Sequence, residues 1–491
     1  MDVAILLFLT SGLFLGWALG GNDAANVFGT AVGTRMARFT TAAVICSVFV
    51  ILGAVISGAG AAHTLGKLGA VNALGGAFMA ALAAAFAVYT MTKFGLPVST
   101  TQAIVGAIIG WNLFSDSITD PGALITILST WVICPVLAAV IAIILFKAVN
   151  GVLSVVKLHL LRTDAYTRAG LLLAGAFGAY SLSANNIANA MGVFVTSSPF
   201  TDFSIAGIYT ISSTQQLFLL GGLAIAAGVM TYSRRVMMTV GDGLLAMPPI
   251  AAWVVVMAHS IVLFLFDSQG LESILADAGL PTIPLVPVSS SQAVVGAVIG
   301  IGILKGGRVI RWRVLGGIGV GWVLTPLMAG LICFVRLFFM LNVFDQTVYR
   351  AVRHDLSPAV MARVEQAGIA VAPIADLTGR SFDSAADLQS VLGDRKTLNN
   401  DDQATVIQFA RHQLIHVDPD RLLEMDPGAM EPDQWAAVTA LSGRSYSHAW
   451  AFDDALAIQS VGWRLREGER THTRALNDRL AYLHRMLGLG P

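Results

Sequence analysis

Charge is scarce in this 491-residue chain: 12 % of residues are charged and 55 % are hydrophobic, and the mean hydropathy is +0.72. A soluble domain carries about twice that charged share. The charge is also unevenly placed. Residues 1–340 hold 15 Lys+Arg against 10 Asp+Glu, and residues 341–491 hold 15 against 20. The zero net charge therefore hides a +5 apolar part and a −5 tail, and gives no ground for a nucleic-acid partner. Cysteine is nearly missing. Cys46, Cys134 and Cys333 all fall in apolar runs without metal-ligand spacing, which argues against a disulfide framework or a zinc site. A basic leader and a small-residue cleavage site are missing from Met1 to Gly20, so this stretch reads as a retained spanning helix.

Long hydrophobic runs are what the chain does have. A helix needs about 20 mostly apolar residues to cross a bilayer, and such spans are expected near 3–33, 40–61, 121–146, 168–196, 213–233 and 313–340. Residues 72–113 and 245–304 are apolar but interrupted, by Gly95-Leu96-Pro97 and by Pro281 to Pro287. They read as re-entrant hairpins that turn at the proline, a backbone tolerable at that depth only under cover of protein or a water-filled cavity. The tail from about 345 is ordinary soluble sequence. Amphipathic helices are expected there at 404–416 and 453–487, and its histidines (His354, His412, His416, His448, His472, His484) read as surface residues.

The apolar part is duplicated. Asn22-Asp23-Ala24-Ala25-Asn26 returns as Asn185-Asn186-Ile187-Ala188-Asn189. Pro97-Val98-Ser99-Thr100-Thr101-Gln102 returns as Pro287-Val288-Ser289-Ser290-Ser291-Gln292, and Trp131 to Pro135 as Trp322 to Pro326. Three motifs in one order exclude chance. The copies lie 163, 190 and 191 residues apart. The second copy thus carries a 27-residue insertion, expected at Asp267 to Pro284. Basic residues cluster at Arg35 and Arg38, at Lys147, Lys157, Arg162 and Arg168, at Arg234 and Arg235, and at Lys305, Arg308, Arg311 and Arg313. With the N-terminus outside, all fall on one face. Three crossings per copy then insert the second copy with opposite polarity. Inverted, interrupted repeats are the mark of a secondary transporter.

The polar residues inside these runs are the candidate site. Gly20 and Gly21 before Asn22-Asp23 are expected to let the first helix unwind, freeing carbonyls for a cation. Asp23 is an ionisable residue deep in a span, which is costly without a partner. It is the candidate for cation or proton coupling and for an Na+ site, with Asn26, Asn186 and Asn189 beside it. Ser99, Thr100, Thr101 and Gln102, with Ser289, Ser290, Ser291 and Gln292, offer six hydroxyls, two amides and two helix N-termini to an oxyanion. Asn22 and Asn185 join that substrate set. Helix capping accounts for one hydroxyl per helix, not three. Neither motif contains Lys or Arg, so dipoles and a co-bound cation must meet an anion's charge. A nucleophile has neither a His base nor a charged activator in the repeated motifs, so no enzyme and no cofactor are expected. His63, His159 and His259 are expected to be satisfied locally, with no role.

These residues resemble the inorganic phosphate transporter family. Gly21 to Thr30 is similar to its Gly-Ala-Asn-Asp-Val-Ala-Asn-Ala-Phe-Gly-Thr signature, and both hydroxyl tips to its Pro-Val-Ser-Thr-Thr-His runs. The resemblance covers about 1–340. It implies inverted repeats, a central oxyanion site at the tips, symport with Na+ or H+, and a homodimer in the membrane. Two departures bear on substrate. Asn186 stands where the family usually holds a second aspartate, and Gln102 and Gln292 where histidine is common. Loss of one acceptor moves the balance toward sulfate, which carries no proton; Asp23 keeps one acceptor, so phosphate is the first expectation and sulfate the second. An anion channel is a third reading. The expected architecture is an all-α membrane protein with repeats at 1–150 and 151–344 and a soluble, helical domain of unassigned role at 345–491, in a bacterial inner membrane.

Overall fold

In the computed structural model the described residues are 3–69, 71–93, 98–156, 159–196, 198–200, 203–205, 209–234, 236–238, 248–307, 312–393, 395, 398–425, 427–465 and 470–488. The turn expected at Gly95-Leu96-Pro97 lies outside them, as do the basic residues Lys157, Arg235, Arg308 and Arg311 and the side chain of His63. The chain divides into two compact units, Met1–Asn112 with Thr119–Thr201 and Ser212–Val348, and Leu113–Ile118 with Asp202–Ile211 and Tyr349–Pro491.

The first unit is helical. Its elements are α1 (Val3–Gly33), α2 (Phe39–Ser57), α3 (Ala59–Leu68), α4 (Leu74–Lys93), α5 (Thr100–Phe114) and α6 (Pro121–Val155). They continue as α7 (Leu160–Met191), α8 (Ser213–Thr231), α9 (Pro249–Asp267), α10 (Gln269–Asp277), α11 (Ser290–Leu304) and α12 (Trp312–Asn342). Seven of the described helices are long and apolar enough to cross a bilayer: most of α1, then α2, α4, α6, α8, α9 and most of α12. The chain is therefore a multi-pass membrane protein. α7, expected as a span, forms as a helix but is not one of the seven, because Ser181, Ser183, Asn185, Asn186 and Asn189 interrupt its apolar sequence and are buried instead.

Burial sorts these helices. α6 and α12 leave Ile125, Val132, Val136 and Ile144, and Val323, Leu327, Leu331 and Phe338, exposed. Such faces need lipid, not water, against them. Twelve of the 15 residues of α5 and twelve of the 15 of α11 are buried, polar first turns included.

The duplication is written into the packing. A Cβ on Gly106 of α5 would lie 2.1 Å from the Pro326 carbonyl oxygen of α12, and one on Gly296 of α11 would lie 2.2 Å from that of Pro135 in α6. Gly53 of α2 stands in the same relation to Tyr180 of α7 at 2.2 Å, and Gly228 of α8 to Trp17 of α1 at 2.0 Å. Each copy thus lays small residues against the backbone of the other, reciprocally, as membrane helices do to approach closely.

Two expectations are corrected here. α1 and α7 run unbroken through Asn22-Asp23 and Asn185-Asn186. Gly20 does not unwind α1; a Cβ there would lie 2.0 Å from the Ile225 carbonyl oxygen, so it is glycine to let α8 approach. The insertion is also split. The starts of α2 and α8 lie 174 residues apart, those of α4 and α9 175, and those of α5 and α11 190. Some 12 inserted residues therefore precede α8, around the hairpin of β1 (Phe203–Ile205) and β2 (Tyr209–Ile211), and some 15 follow α9, where α10 sits.

The second unit contains a duplication that the sequence reading missed. β3 (His354–Asp355) pairs antiparallel with β4 (Ser381–Phe382), and β5 (Ile415–His416) with β6 (Ser445–Tyr446). Leu377-Thr378-Gly379-Arg380-Ser381-Phe382 answers Leu441-Ser442-Gly443-Arg444-Ser445-Tyr446. The hydrogen bonds repeat as well. Leu356 N–H donates to Arg380 O at 2.9 Å and Gly379 N–H to Leu356 O at 2.7 Å; Val417 N–H donates to Arg444 O and Gly443 N–H to Val417 O at the same two distances. Each copy has its own apolar core, one from Leu356 to Ala410 and one from Ile415 to Leu487. The helix expected over 404–416 ends at Ala410 because the following residues are drawn into strand pairing, and that expected over 453–487 is two helices, Ala449–Gln459 and Arg470–Leu487. His354 and His448 are buried, contrary to the surface reading.

Candidate functional site

Four helices deliver the polar residues. α1 carries Asn22, Asp23 and Asn26; α7 carries Asn185, Asn186 and Asn189; the N-termini of α5 and α11 carry the two hydroxyl runs. All of these are buried except Asn26, which is partly so. A polar side chain in such surroundings must be hydrogen-bonded or cost free energy, and the partners define the site.

Capping takes one hydroxyl per tip, as expected: Ser99 Oγ accepts from Gln102 N–H and Ser289 Oγ from Gln292 N–H, each at 3.3 Å. The other hydroxyls turn elsewhere. Thr100 donates to Asp23 Oδ2 at 3.1 Å, and Asn22 Nδ2 donates to Asp23 Oδ1 at 3.1 Å. Thr101 Oγ1 donates to Val288 O of the other tip at 3.2 Å, and Ser291 shares a proton with Ser289 at 3.1 Å. Asn185 grips the second tip through its backbone, donating to Val286 O at 3.3 Å and accepting from Val288 N–H at 3.1 Å.

Two further bonds within this cluster cross between the copies, side chain to side chain. Asn26 Nδ2 of the first copy donates to Ser290 Oγ of the second tip at 2.9 Å, and Asn189 Nδ2 of the second copy donates to Thr101 Oγ1 of the first tip at 2.9 Å. Asn26 and Asn189 are counterparts, so each copy reaches the other's tip, at acceptors one position out of register because Ser290 answers Thr100 and not Thr101. Twelve of the fourteen candidate residues take part in the cluster's bonds through their side chains; Gln102 and Gln292 join through their backbone N–H alone.

Hydrogen-bonding capacity is left over. Gln102 Oε1, Gln292 Oε1, Asn189 Oδ1 and Asn186 Nδ2 are buried without a partner. Asn186 Oδ1 accepts from Asn189 at 2.8 Å, so unlike Asp23 it holds no bond to a tip. Among the described residues no three His, Cys, Asp or Glu gather as metal ligands. A cation at Asp23 would have to complete its shell with hydroxyl and amide oxygens, which suits a hard monovalent ion.

The sequence reading missed His259. It lies on α9, fully buried, with Nε2 3.0 Å from Ser290 Oγ and Nδ1 without a partner. A histidine amid apolar residues 28 positions before the tip motif carries no local signal; only the folding of α9 against α11 brings the two together. His159, by contrast, is satisfied locally, its Nδ1 capping Leu161 N–H at 3.3 Å.

A duplicated helical membrane protein with one buried polar cluster at its centre is the architecture of a solute carrier. Comparison with known proteins gives the family: the profile of the phosphate transporter family matches residues 19–166, 157–333 and 280–391, and the chain belongs to it. Relatives include a protein of Methanocaldococcus jannaschii provisionally named a phosphate permease, 26 % identical over 336 residues covering 68 % of this chain and 97 % of the relative. The sulfate permease CysP of Bacillus subtilis is 28 % identical over 340 residues, covering 67 % and 85 %. A solved structure described as the sodium-dependent phosphate transporter shares the fold, with a TM-score of 0.54 and 23 % identity over 69 % of this chain and all of that one.

Proposed function

We propose that this chain is a symporter that moves inorganic phosphate across a bacterial inner membrane by alternating access, coupled to Na+ or H+, and that it works as a homodimer. The observation that carries this is the exchange Asn26 to Ser290 and Asn189 to Thr101. It ties the two hydroxyl tips to one cluster, and a change of tilt between the copies must remake both bonds. In this reading residues 1–150 and 151–344 are inverted repeats, and 345–491 is a separate soluble domain. The hairpin reading of the tips has support in length: α5 and α11 have 15 residues each, about 22 Å at 1.5 Å per residue, short of the roughly 30 Å of a hydrocarbon core.

The roles follow from chemistry. The N–H groups opening α5 and α11, the hydroxyls of Ser99 to Thr101 and Ser289 to Ser291, and the amides of Gln102, Gln292, Asn22 and Asn185 bind the oxyanion. Asp23, with Asn26, Asn186 and Asn189 nearby, binds the coupling cation, whose charge offsets that of the anion. Sulfate is the second reading, favoured by the unpartnered Asn186 Nδ2, a donor where a carboxylate would repel a fully ionised anion.

Uptake of labelled phosphate and labelled sulfate by reconstituted vesicles, under Na+ or pH gradients, tests all of this. Saturable, gradient-driven phosphate accumulation is expected. Faster sulfate uptake would establish the second reading, and linear, non-saturating flux would replace the carrier with a channel.

A further inference from the structure

His259 is a buried titratable group that the transport reading leaves unused. Its surroundings tie it to the site. Ser290 is the first helical residue of α11 and the counterpart of Thr100. In the first copy that position bonds to Asp23. In the second copy the counterpart of Asp23 is Asn186, whose oxygen turns to Asn189 instead. The hydroxyl is met from the other side by His259, whose counterpart at the 175-residue offset of α4 and α9 is the buried Ala84. The first helical hydroxyl of each tip, Thr100 or Ser290, thus has one proton-exchanging neighbour, an acid in one copy and an imidazole in the other.

Count the protons at Ser290. Its oxygen has one hydrogen and two lone pairs. Asn26 Nδ2 donates into one lone pair. A neutral His259 then has two ways to meet what remains. With the hydrogen on Nε2, the ring donates into the second lone pair and the hydroxyl proton must point away, as a donor to a bound anion. With the hydrogen on Nδ1, Nε2 takes the hydroxyl proton and the second lone pair is left open, as an acceptor. Nδ1 has no protein partner in either case, so no fixed bond selects one tautomer.

We propose that His259 is a positioning residue that sets whether Ser290 presents a proton or a lone pair to the substrate, and so adapts the second tip to a protonated or an unprotonated tetrahedral oxyanion. Monohydrogen phosphate carries a P–OH that needs an acceptor; sulfate offers only acceptors and needs donors throughout. The tautomer with Nδ1–H suits phosphate and that with Nε2–H suits sulfate. This rests on the oxyanion reading of the tips.

The test uses the full chain in vesicles with inorganic phosphate and sulfate as probes. His259→Phe frees the Ser290 hydroxyl, and the ratio of the two KM values should move by about tenfold, with maximal rates changing less. His259→Gln keeps an amide where Nε2 stands and should hold the wild-type ratio within about threefold. Nitrogen resonances of labelled histidine, with the His259 signal identified by its loss in His259→Gln, should report Nε2–H under saturating sulfate and Nδ1–H under saturating phosphate. One tautomer under both anions, or a KM ratio unmoved in His259→Phe, overturns the proposal while leaving the transport reading intact. A wild type that takes up neither anion overturns that reading first.

Discussion

The molecule contains two duplications that solve opposite problems. In the membrane unit the copies do not have separate cores. Their helices interleave, glycines of one touching backbone carbonyls of the other, and their asparagines bond to each other's tips. In the other unit each copy closes its own core and repeats the same hairpin within itself. In lipid, apolar side chains gain nothing by hiding from the solvent, so close backbone approach and shared polar groups hold helices together. In water, apolar burial suffices to close a small core. Interleaved copies can move only by exchanging contacts, which is what a carrier needs. Copies with cores of their own meet at their margins, as where Trp450 of the second packs against the core of the first.

Glycine gives the largest expected contrast. Gly106→Val and Gly296→Val would drive a side chain into the carbonyl oxygens of Pro326 and Pro135, where even a Cβ would lie 2.1 and 2.2 Å away. No rotamer relieves a clash with backbone, and we expect loss of folded protein, seen as loss of a monodisperse peak after detergent extraction. Native yields from either variant would break the interleaving comparison.

Next in size is the asymmetry of the two carboxylate positions. Asp23→Asn should reduce gradient-driven uptake at least about a hundredfold, the scale of losing a charged ligand in a buried site, while the folded yield stays near wild type. Retained driven uptake would remove Asp23 from the coupling role. Asn186→Asp restores a second acid next to Asn189. It should lower sulfate uptake relative to phosphate by about tenfold if that position faces the anion; an unchanged ratio would detach it from the substrate.

A smaller effect is expected at the glycines of the second unit. Gly379 (φ +82°) and Gly443 (φ +77°) have open space where a Cβ would go, so they are glycine for backbone conformation alone. Gly379→Ala and Gly443→Ala should each cost about 1–2 kcal/mol, read as faster amide exchange confined to the altered copy. Equal destabilisation of both copies would mean that contacts such as Trp450 against the first core make the two cores one cooperative unit.

How much of this was legible in the sequence depended on the range of the signal. The hydroxyl tips and the Asn-Asp motif were readable because polar residues in apolar runs stand out one at a time, and because a second copy confirmed each. The continuity of α1 was not readable: Gly20 permits unwinding in isolation, and only the Ile225 carbonyl across the interface explains why glycine is there. His259 was hidden for the same reason, since its partner is 31 residues away and on another helix. In the second unit the Gly-Arg-Ser-aromatic repeat was too short to notice among charged, ordinary sequence. Its meaning lies in backbone hydrogen bonds that no side chain announces.

The smallest expected effect sharpens the comparison between the two copies of the second unit. β3 opens with His354 where β5 opens with Ile415, so the same strand position is a buried histidine in one core and an aliphatic in the other. Burial pushes the His354 imidazole down to about 4, aided by the Arg411 charge and opposed by a backbone hydrogen bond to Val352 and by the Asp355 carboxylate. In the unfolded chain a histidine titrates near 6.5, so between about 6.5 and 4 the unfolded state binds the extra proton and gains by it. The first copy is therefore at full stability above about pH 6.5 and loses stability as the pH falls toward 4. Replacement by the residue of the sister copy, His354→Ile, removes this group from the balance. Amide exchange over residues 356–410 of the full-length protein, corrected for the intrinsic dependence on pH, should rise less steeply on acidification in His354→Ile than in the wild type. Identical slopes would mean that the ring is already protonated or solvated in the folded chain, and that the two copies differ at this position in sequence only.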